Sequence, residues 1–210
     1  MAAIDRMNRQ AGFSLLEVLV ALLVLTIGLL GLAGMQVTAQ QAELESYQRA
    51  QALVLMNDIV DRINTNRKAV ACYAITTSST AGTPYLGLVD AGHYSTGSYS
   101  CPSLATNPNA VTRAGLDLQL IDEMMQGASE AKAGSSVGAM LGARACIGFD
   151  STTQAYTVAI AWQGLTQTFS PANWPAANNP PVARNCALNL FGNDNQRRVV
   201  WTTLLVASLQ

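Results

Sequence analysis

The hydrophobic pattern divides the chain sharply. From Phe13 to Met35, 23 residues run almost wholly apolar, broken only by Ser14, Glu17, Thr26 and glycines. About 20 apolar residues suffice to carry a helix across a bilayer. From Gln36 the pattern turns amphipathic without a break. Leu44, Tyr47, Val54, Leu55, Ile59 and Ile63 recur at helical spacing, while Glu43, Glu45, Arg49, Asp58, Asp61 and Arg62 fall mostly elsewhere. No glycine or proline lies between Met35 and Thr80. This predicts one helix from about Phe13 to Thr65 or Asn66, roughly 80 Å long at about 1.5 Å per residue. Its first part belongs in lipid or among like helices, and its second offers an apolar stripe to a head domain. Asp58 and Arg62, four apart, are placed to pair. Arg67 and Lys68 suit the negative end of the helix dipole.

Residues 72–110 read as loops, rich in Thr, Ser, Gly, Asn and Tyr. A second helix is expected over Leu116 to Lys132. Its apolar face is Leu116, Leu120, Ile121, Met124 and Met125, and its solvated acidic face is Asp117, Asp122, Glu123 and Glu130. The last third alternates as strands do. Ala143 to Asp150 is one strand. Tyr156 to Trp162 is a second, with Tyr156, Val158, Ile160 and Trp162 on the face expected to meet the long helix. Arg197 to Val206 is a third, with Val199, Trp201, Thr203 and Leu205 on one side. A Pro- and Asn-rich loop, Pro171 to Asn185, joins the last two. The fold class expected is α+β, one long N-terminal helix packed against an antiparallel sheet.

Charge and cysteines narrow the chemistry. The net charge is −1, so no basic field exists to neutralise phosphates, and direct nucleic-acid binding is not expected. Cys72, Cys101, Cys146 and Cys186 all follow the apolar segment, and none forms a CxxC pair. With Arg6 and Arg9 held inside by the positive-inside rule, the rest of the chain faces an oxidising compartment, where four cysteines read as two disulfides. Three pairings are possible; proximity in sequence favours Cys72–Cys101 and Cys146–Cys186. His93 is the sole histidine and is expected on a loop surface. There is no second histidine for a triad or metal site, and no phosphate loop. No enzymatic activity, cofactor or metal is expected.

One feature exceeds a plain membrane anchor. Glu17 stands four residues after Phe13 inside the apolar run, and a carboxylate there costs on the order of 2.5–3.5 kcal/mol. Gly12, Phe13, Leu16, Glu17, Val18, Leu19 and Val20 together resemble the N-terminus of the type IV prepilin family. The resemblance implies a leader over residues 1–12, cut by a prepilin peptidase between Gly12 and Phe13, with Phe13 then N-methylated. Cutting leaves 10 basic and 12 acidic residues, a net charge of −2. In the family the glutamate is thought to pair with the N-terminal amine of a neighbouring subunit, a role that falls to Glu17. The type IV pilin fold implied divides the chain into a membrane or filament-core half of the helix (13–35), a head-packing half (36–66) and a periplasmic head (67–210). Type IV pilins commonly loosen the helix near a proline. This chain has none before Pro84, and Gly28, Gly31 and Gly34 either replace it or form a small-residue packing face.

Met56-Asn57-Asp58-Ile59, Asp61-Arg62-Ile63, Ala161-Trp162-Gln163-Gly164 and Arg197-Arg198-Val199-Val200 further resemble the PilV group of minor pilins. That group implies a minor pilin in a tip complex that primes pilus assembly and supports twitching motility and adhesion. The implied partners are other minor pilins, the major pilin and the inner-membrane assembly platform. The implied location is the inner membrane before assembly and the cell-surface pilus after it. The alternative is a minor pseudopilin of a type II secretion system, which shares the cleavage site and the helix.

Overall fold

The computed structural model describes residues 12–98, 101, 107–128, 131–132, 135–136 and 140–206. Helix α1 runs from Leu15 to Thr65, 51 residues. The chain forms two compact units, one ending at Leu44 and one beginning at Glu45.

In the first unit α1 carries every described side chain into the open, with Leu15 at 92% exposure and Met35 at 74%. The stretch is apolar and long enough to cross a membrane. Its few hydroxyls are satisfied within the helix. Thr26 Oγ1 donates to the Leu23 carbonyl at 2.9 Å and Thr38 Oγ1 to that of Gly34 at 3.2 Å. This lets polar residues sit in an apolar surround without an orphaned donor.

The second unit is built on a four-stranded antiparallel sheet. Its strands are β1 (Leu86–Gly87), β4 (Arg144–Asp150), β5 (Ala155–Gln163) and β6 (Arg197–Leu204), in the order β1-β4-β5-β6. Two-residue strands β2 (Ala131–Lys132) and β3 (Ser135–Ser136) form a separate hairpin. Strands β4 to β6 follow one another as the alternation predicts. Val158, Ile160 and Trp162 of β5 share a core with Ala52, Met56, Ile59 and Ile63 of α1.

The α1 stripe differs from the expected one. Leu44, Tyr47 and Val54 are exposed at 54%, 63% and 68%, while Ala52 and Met56 are buried. The covered seam steps 52–56–59–63, and Val54 stands on the opposite side of the helix, since two residues turn it by about 200°.

Helix α2 spans Pro108–Met125 rather than Leu116 to Lys132. The start signal is Asn107-Pro108. The Asn107 side chain accepts from the backbone N–H of Asn109 and Ala110, and Pro108 occupies the first turn, where its missing N–H costs nothing. Gly127, at φ 80, follows its C-cap. Leu116 and Leu120 are exposed, and Ala114, Leu118, Ile121 and Met125 form the buried face. Glu130 lies outside the described residues.

The second face of the sheet is also covered. Cys146, Ala159 and Ala161 pack against Val182, Ala183, Cys186, Ala187 and Phe191. These last come from helix α3 (Pro181–Asn185) and the turns after it. Small side chains on this side of β5 let α3 lie close. The 78–83 turn meets α3 at Gly82. At φ 66 a Cβ there would stand 1.8 Å from the Asn185 carbonyl oxygen, so only glycine fits. Disulfides join Cys72 to Cys101 and Cys146 to Cys186, with Cα atoms 4.9 Å and 5.8 Å apart.

Candidate functional site

The start of α1 is built by Ser14. Its hydroxyl accepts the backbone N–H of Glu17 at 3.2 Å, and its carbonyl accepts from Glu17 at 3.1 Å and Val18 at 3.4 Å. Ser14-Leu15-Leu16-Glu17 therefore has the spacing of a capping box, with the carboxylate at the positive end of the helix dipole. Gly12 and Phe13 precede the first turn in non-helical backbone. Phe13 is 84% exposed. The Gly12–Phe13 peptide bond thus lies ahead of the helix, between two exposed residues.

The Glu17 carboxylate has no hydrogen-bond or ion-pair partner among the described residues. With Phe13, Val18, Ala21, Leu22 and Leu25 it lines a shallow groove that is almost wholly apolar. Chemically this is a lone anion on an apolar helix. In a low-dielectric surround it attracts a cation far more strongly than in water.

The head has its own polar anchorage at Glu45. One carboxylate oxygen, Oε1, accepts from the backbone N–H of Leu165 (3.2 Å) and Thr166 (3.1 Å), the Thr166 hydroxyl (3.0 Å) and the Arg198 guanidinium (3.2 Å). Partial burial pulls this carboxyl up, but the Thr166 and Leu165 donors and the Arg198 charge together hold it below the usual range. Asp194 is alike. Burial raises it, and Arg197, Ser170 and the Asn189 N–H lower it by more. Arg197 is fully buried, with Nε 2.7 Å from Asp194 and Nη1 3.0 Å from the Cys186 carbonyl.

Both carboxyls bind protons less readily folded than unfolded, so acid favours the unfolded chain. Their stabilisation is whole above the unfolded carboxylate pKa of about 4. It drains as pH falls through the lower folded values. Urea midpoints of the chain are expected to drop between about pH 5 and pH 2, with a smaller drop in the Glu45→Gln variant. A midpoint independent of pH over that range would contradict this.

Two aspartates expected on a solvated face are buried, Asp117 and Asp122, each 6% exposed. Asp117 accepts the Tyr73 hydroxyl at 2.5 Å and Arg62 at 3.1 Å, while Asp58 holds the same Arg62 at 2.7 Å. Asn66 donates to Tyr73 and to the Ala110 carbonyl. Burial, and then the hydrogen bond to Asp117, push the Tyr73 phenol well above its ordinary value. Asp122 accepts from the Gly87 N–H (2.7 Å), pairs with His93 (2.8 Å) and takes Gln126 (2.9 Å). His93 is therefore no idle surface residue; it ties the 88–94 loop to α2. Asp117 and Asp122 flank Leu118 and Ile121, and that position beside the apolar face was the available signal.

Arg144, 3% exposed, lies over the Tyr85 and Phe191 rings and reaches Asp90 at 2.6 Å. These groups are spent on one another. Among the described residues no three metal-ligating side chains converge.

Two family models match the chain. The prokaryotic N-terminal methylation motif matches residues 7–33, which include Gly12, Phe13 and Glu17. The model of type IV pilin Tt1218 matches residues 34–85. No curated protein and no solved structure matches.

Proposed function

We infer that this chain, which belongs to the type IV pilins, serves as a minor pilin that helps prime pilus assembly in a complex at the filament tip. The observation that carries the reading is the register of Gly12, Phe13 and Glu17 at the start of an α1 whose residues to Leu44 all lie exposed. A helix that apolar needs lipid first and other helices later. An inner-membrane anchor that becomes a filament core supplies both.

In this reading a prepilin peptidase cuts between Gly12 and Phe13 and methylates Phe13. The head stands in the periplasm, the compartment that the two disulfides suit. The apolar run draws the subunit into the bundle. Glu17 then meets the N-terminal amine of a neighbour, and the pair replaces two unpaired ions in an apolar surround. The head selects other minor pilins and the major pilin at the assembly platform. Twitching motility and adhesion follow from the pilus, and no step calls for chemistry by this chain. The minor-pilin assignment is supported by the motifs at Met56-Asn57-Asp58-Ile59 and Ala161-Trp162-Gln163-Gly164.

The first test is the N-terminal sequence and mass of the protein recovered from membranes of cells with a working prepilin peptidase. The expected chain begins at methylated Phe13. An intact leader would leave an ordinary anchored protein. A second test isolates Glu17. Glu17→Ala removes a charge that costs about 2.5–3.5 kcal/mol to insert, so membrane insertion is expected to be undiminished. Incorporation into sheared pili is expected to fall about tenfold or more, as for a lost charge-assisted contact. Normal incorporation would remove the role given to Glu17.

A further inference from the structure

The two edges of the head sheet are unlike. In an antiparallel ladder the backbone groups of successive residues point alternately to either neighbour. The Gly164 N–H donates to the Gln196 carbonyl at 2.8 Å, one step beyond the Gln163↔Arg197 register. Counting on by twos, Arg198, Val200, Thr202 and Leu204 turn their N–H and C=O toward β5. Val199, Trp201 and Thr203 turn theirs outward. Among the described residues no hydrogen bond reaches those outward groups.

Before the strand begins, the Asn195 carbonyl on this side takes the Thr168 N–H at 2.7 Å; from Val199 to Thr203 no described segment pairs with it. Two arginines, Arg197 and Arg198, open the strand, and beyond them Val199–Leu204 holds no charge, no proline and no bulge, devices that blunt an edge strand. Its composition is strongly β-forming.

The opposite edge is closed. Tyr85 gives its N–H to Gly92 at 3.1 Å and takes that of Tyr94 at 2.8 Å, and the Gly87 N–H goes to Asp122. Farther along β4, Ile147 takes the Thr76 N–H at 2.8 Å and donates to its hydroxyl at 3.0 Å.

We propose that the outer edge of β6 receives an antiparallel strand from the head of a different pilin subunit, extending the sheet between subunits. The proposal rests on the pilin-subunit reading above. A second copy does not fit. Head-to-tail pairing would need the β1 edge, which is already bonded. Pairing β6 with β6 needs a two-fold axis through the sheet. That axis would turn the Glu45 ends of the two α1 helices in opposite directions, which two chains anchored in one membrane do not allow.

A different head standing in the same direction meets the requirement, because strands alternate across β1-β4-β5-β6 and the far edge of such a sheet runs opposite to β6. The incoming strand is neutral and rich in β-branched or aromatic residues. The outward positions Val199, Trp201 and Thr203 carry no charge, and the nearest cation, Arg198, is held by Glu45. The chain thus takes a strand on one side and offers none on the other.

The test uses the full chain in membranes that contain the other pilus subunits. A photo-cross-linking residue replaces Leu205, which is 79% exposed just past β6. Two blocking variants are added separately. Thr203→Pro removes an outward N–H that the β5 ladder does not use, and Thr203→Lys keeps every ladder bond but charges the edge. The expected result is a cross-link, mapped by mass spectrometry, to a strand in another pilin's head. Both variants are expected to cut its yield about tenfold or more while melting temperature and both disulfides stay as in the parent. Cross-links that are absent, that map to lipid or to a second copy of this chain, or that survive Thr203→Lys, in a chain cut at Gly12 and present in pili, overturn strand addition alone. An uncut chain absent from pili overturns the subunit reading with it.

Discussion

Substitution of Gly12 by valine or a larger residue is expected to leave the chain uncut, with leader attached and Phe13 unmethylated, and to keep it out of pili. The protein itself has no objection to a side chain there. A Cβ built at Gly12 meets nothing within 4 Å, and the residue precedes α1. The effect therefore arises in the peptidase, where the cut bond must be held close and an added branch displaces it. Misplacement by about an ångström costs on the order of a hundredfold in rate, so Gly12→Ala is expected to slow processing and Gly12→Val to stop it within a cell generation. Intact mass of the membrane-extracted chain reads the outcome. Since fold and insertion are unchanged, mature Gly12→Val protein at parental levels would count directly against cleavage at this bond.

The largest loss of stability is expected from removing the Cys146–Cys186 bond. The bridge spans 40 residues, against 29 for Cys72–Cys101. In the loop-entropy account the two are worth about 4 and about 3.5 kcal/mol. The difference is widened by surroundings. Cys146 and Cys186 are both fully buried at the centre of the second core, among alanines that supply little apolar area of their own. That layer depends on the bridge more than the α1 side does. The double Cys146→Ala, Cys186→Ala variant is expected to melt about 10 °C or more below the parent, given roughly 2–4 °C per kcal/mol for a domain of this size. The Cys72→Ala, Cys101→Ala variant is expected to lose less. No loss would mean that the α3 layer holds by packing alone, and equal losses that it depends on its bridge no more than the α1 side does.

The parts legible in the sequence are those where periodicity and burial coincide. The run from Phe13 to Met35 and the strict alternation of Tyr156 to Trp162 each admit one reading, and α1 and β5 lie where those patterns put them. The amphipathic half of α1 was legible as helix but not as to face. Leu44 and Val54 are about as apolar as Ile59, and only the position of the sheet decides which are covered.

Asp117 and Asp122 misled because a carboxylate read alone belongs in water. Each is buried only because Arg62 and Tyr73, or Gly87 and His93, arrive from distant segments to satisfy it. The layer behind the sheet was hidden for a related reason. Proline and asparagine from Pro171 to Asn185 spell loop, and nothing local says that a loop closed by Cys186 lies against alanines on β5. At the candidate site the opposite holds. Gly12, Phe13, Ser14 and Glu17 lie within six residues of one another, so the sequence spacing already places the proposed site, and the bond from the Glu17 N–H to Ser14 adds its local geometry.

The two bridges also bear on how this subunit behaves under load. In the filament subunit proposed above, tension would arrive along the helix, and a domain yields by paying out contour length. The segments between Cys72 and Cys101 and between Cys146 and Cys186 have sequence separations of 29 and 40 residues, and their contour cannot be paid out. At about 3.5 Å per extended residue they withhold roughly 240 Å. A head closed in this way resists being reeled out as a thread, so a pull that overcomes its packing is met by covalent bonds while much of the chain is still gathered.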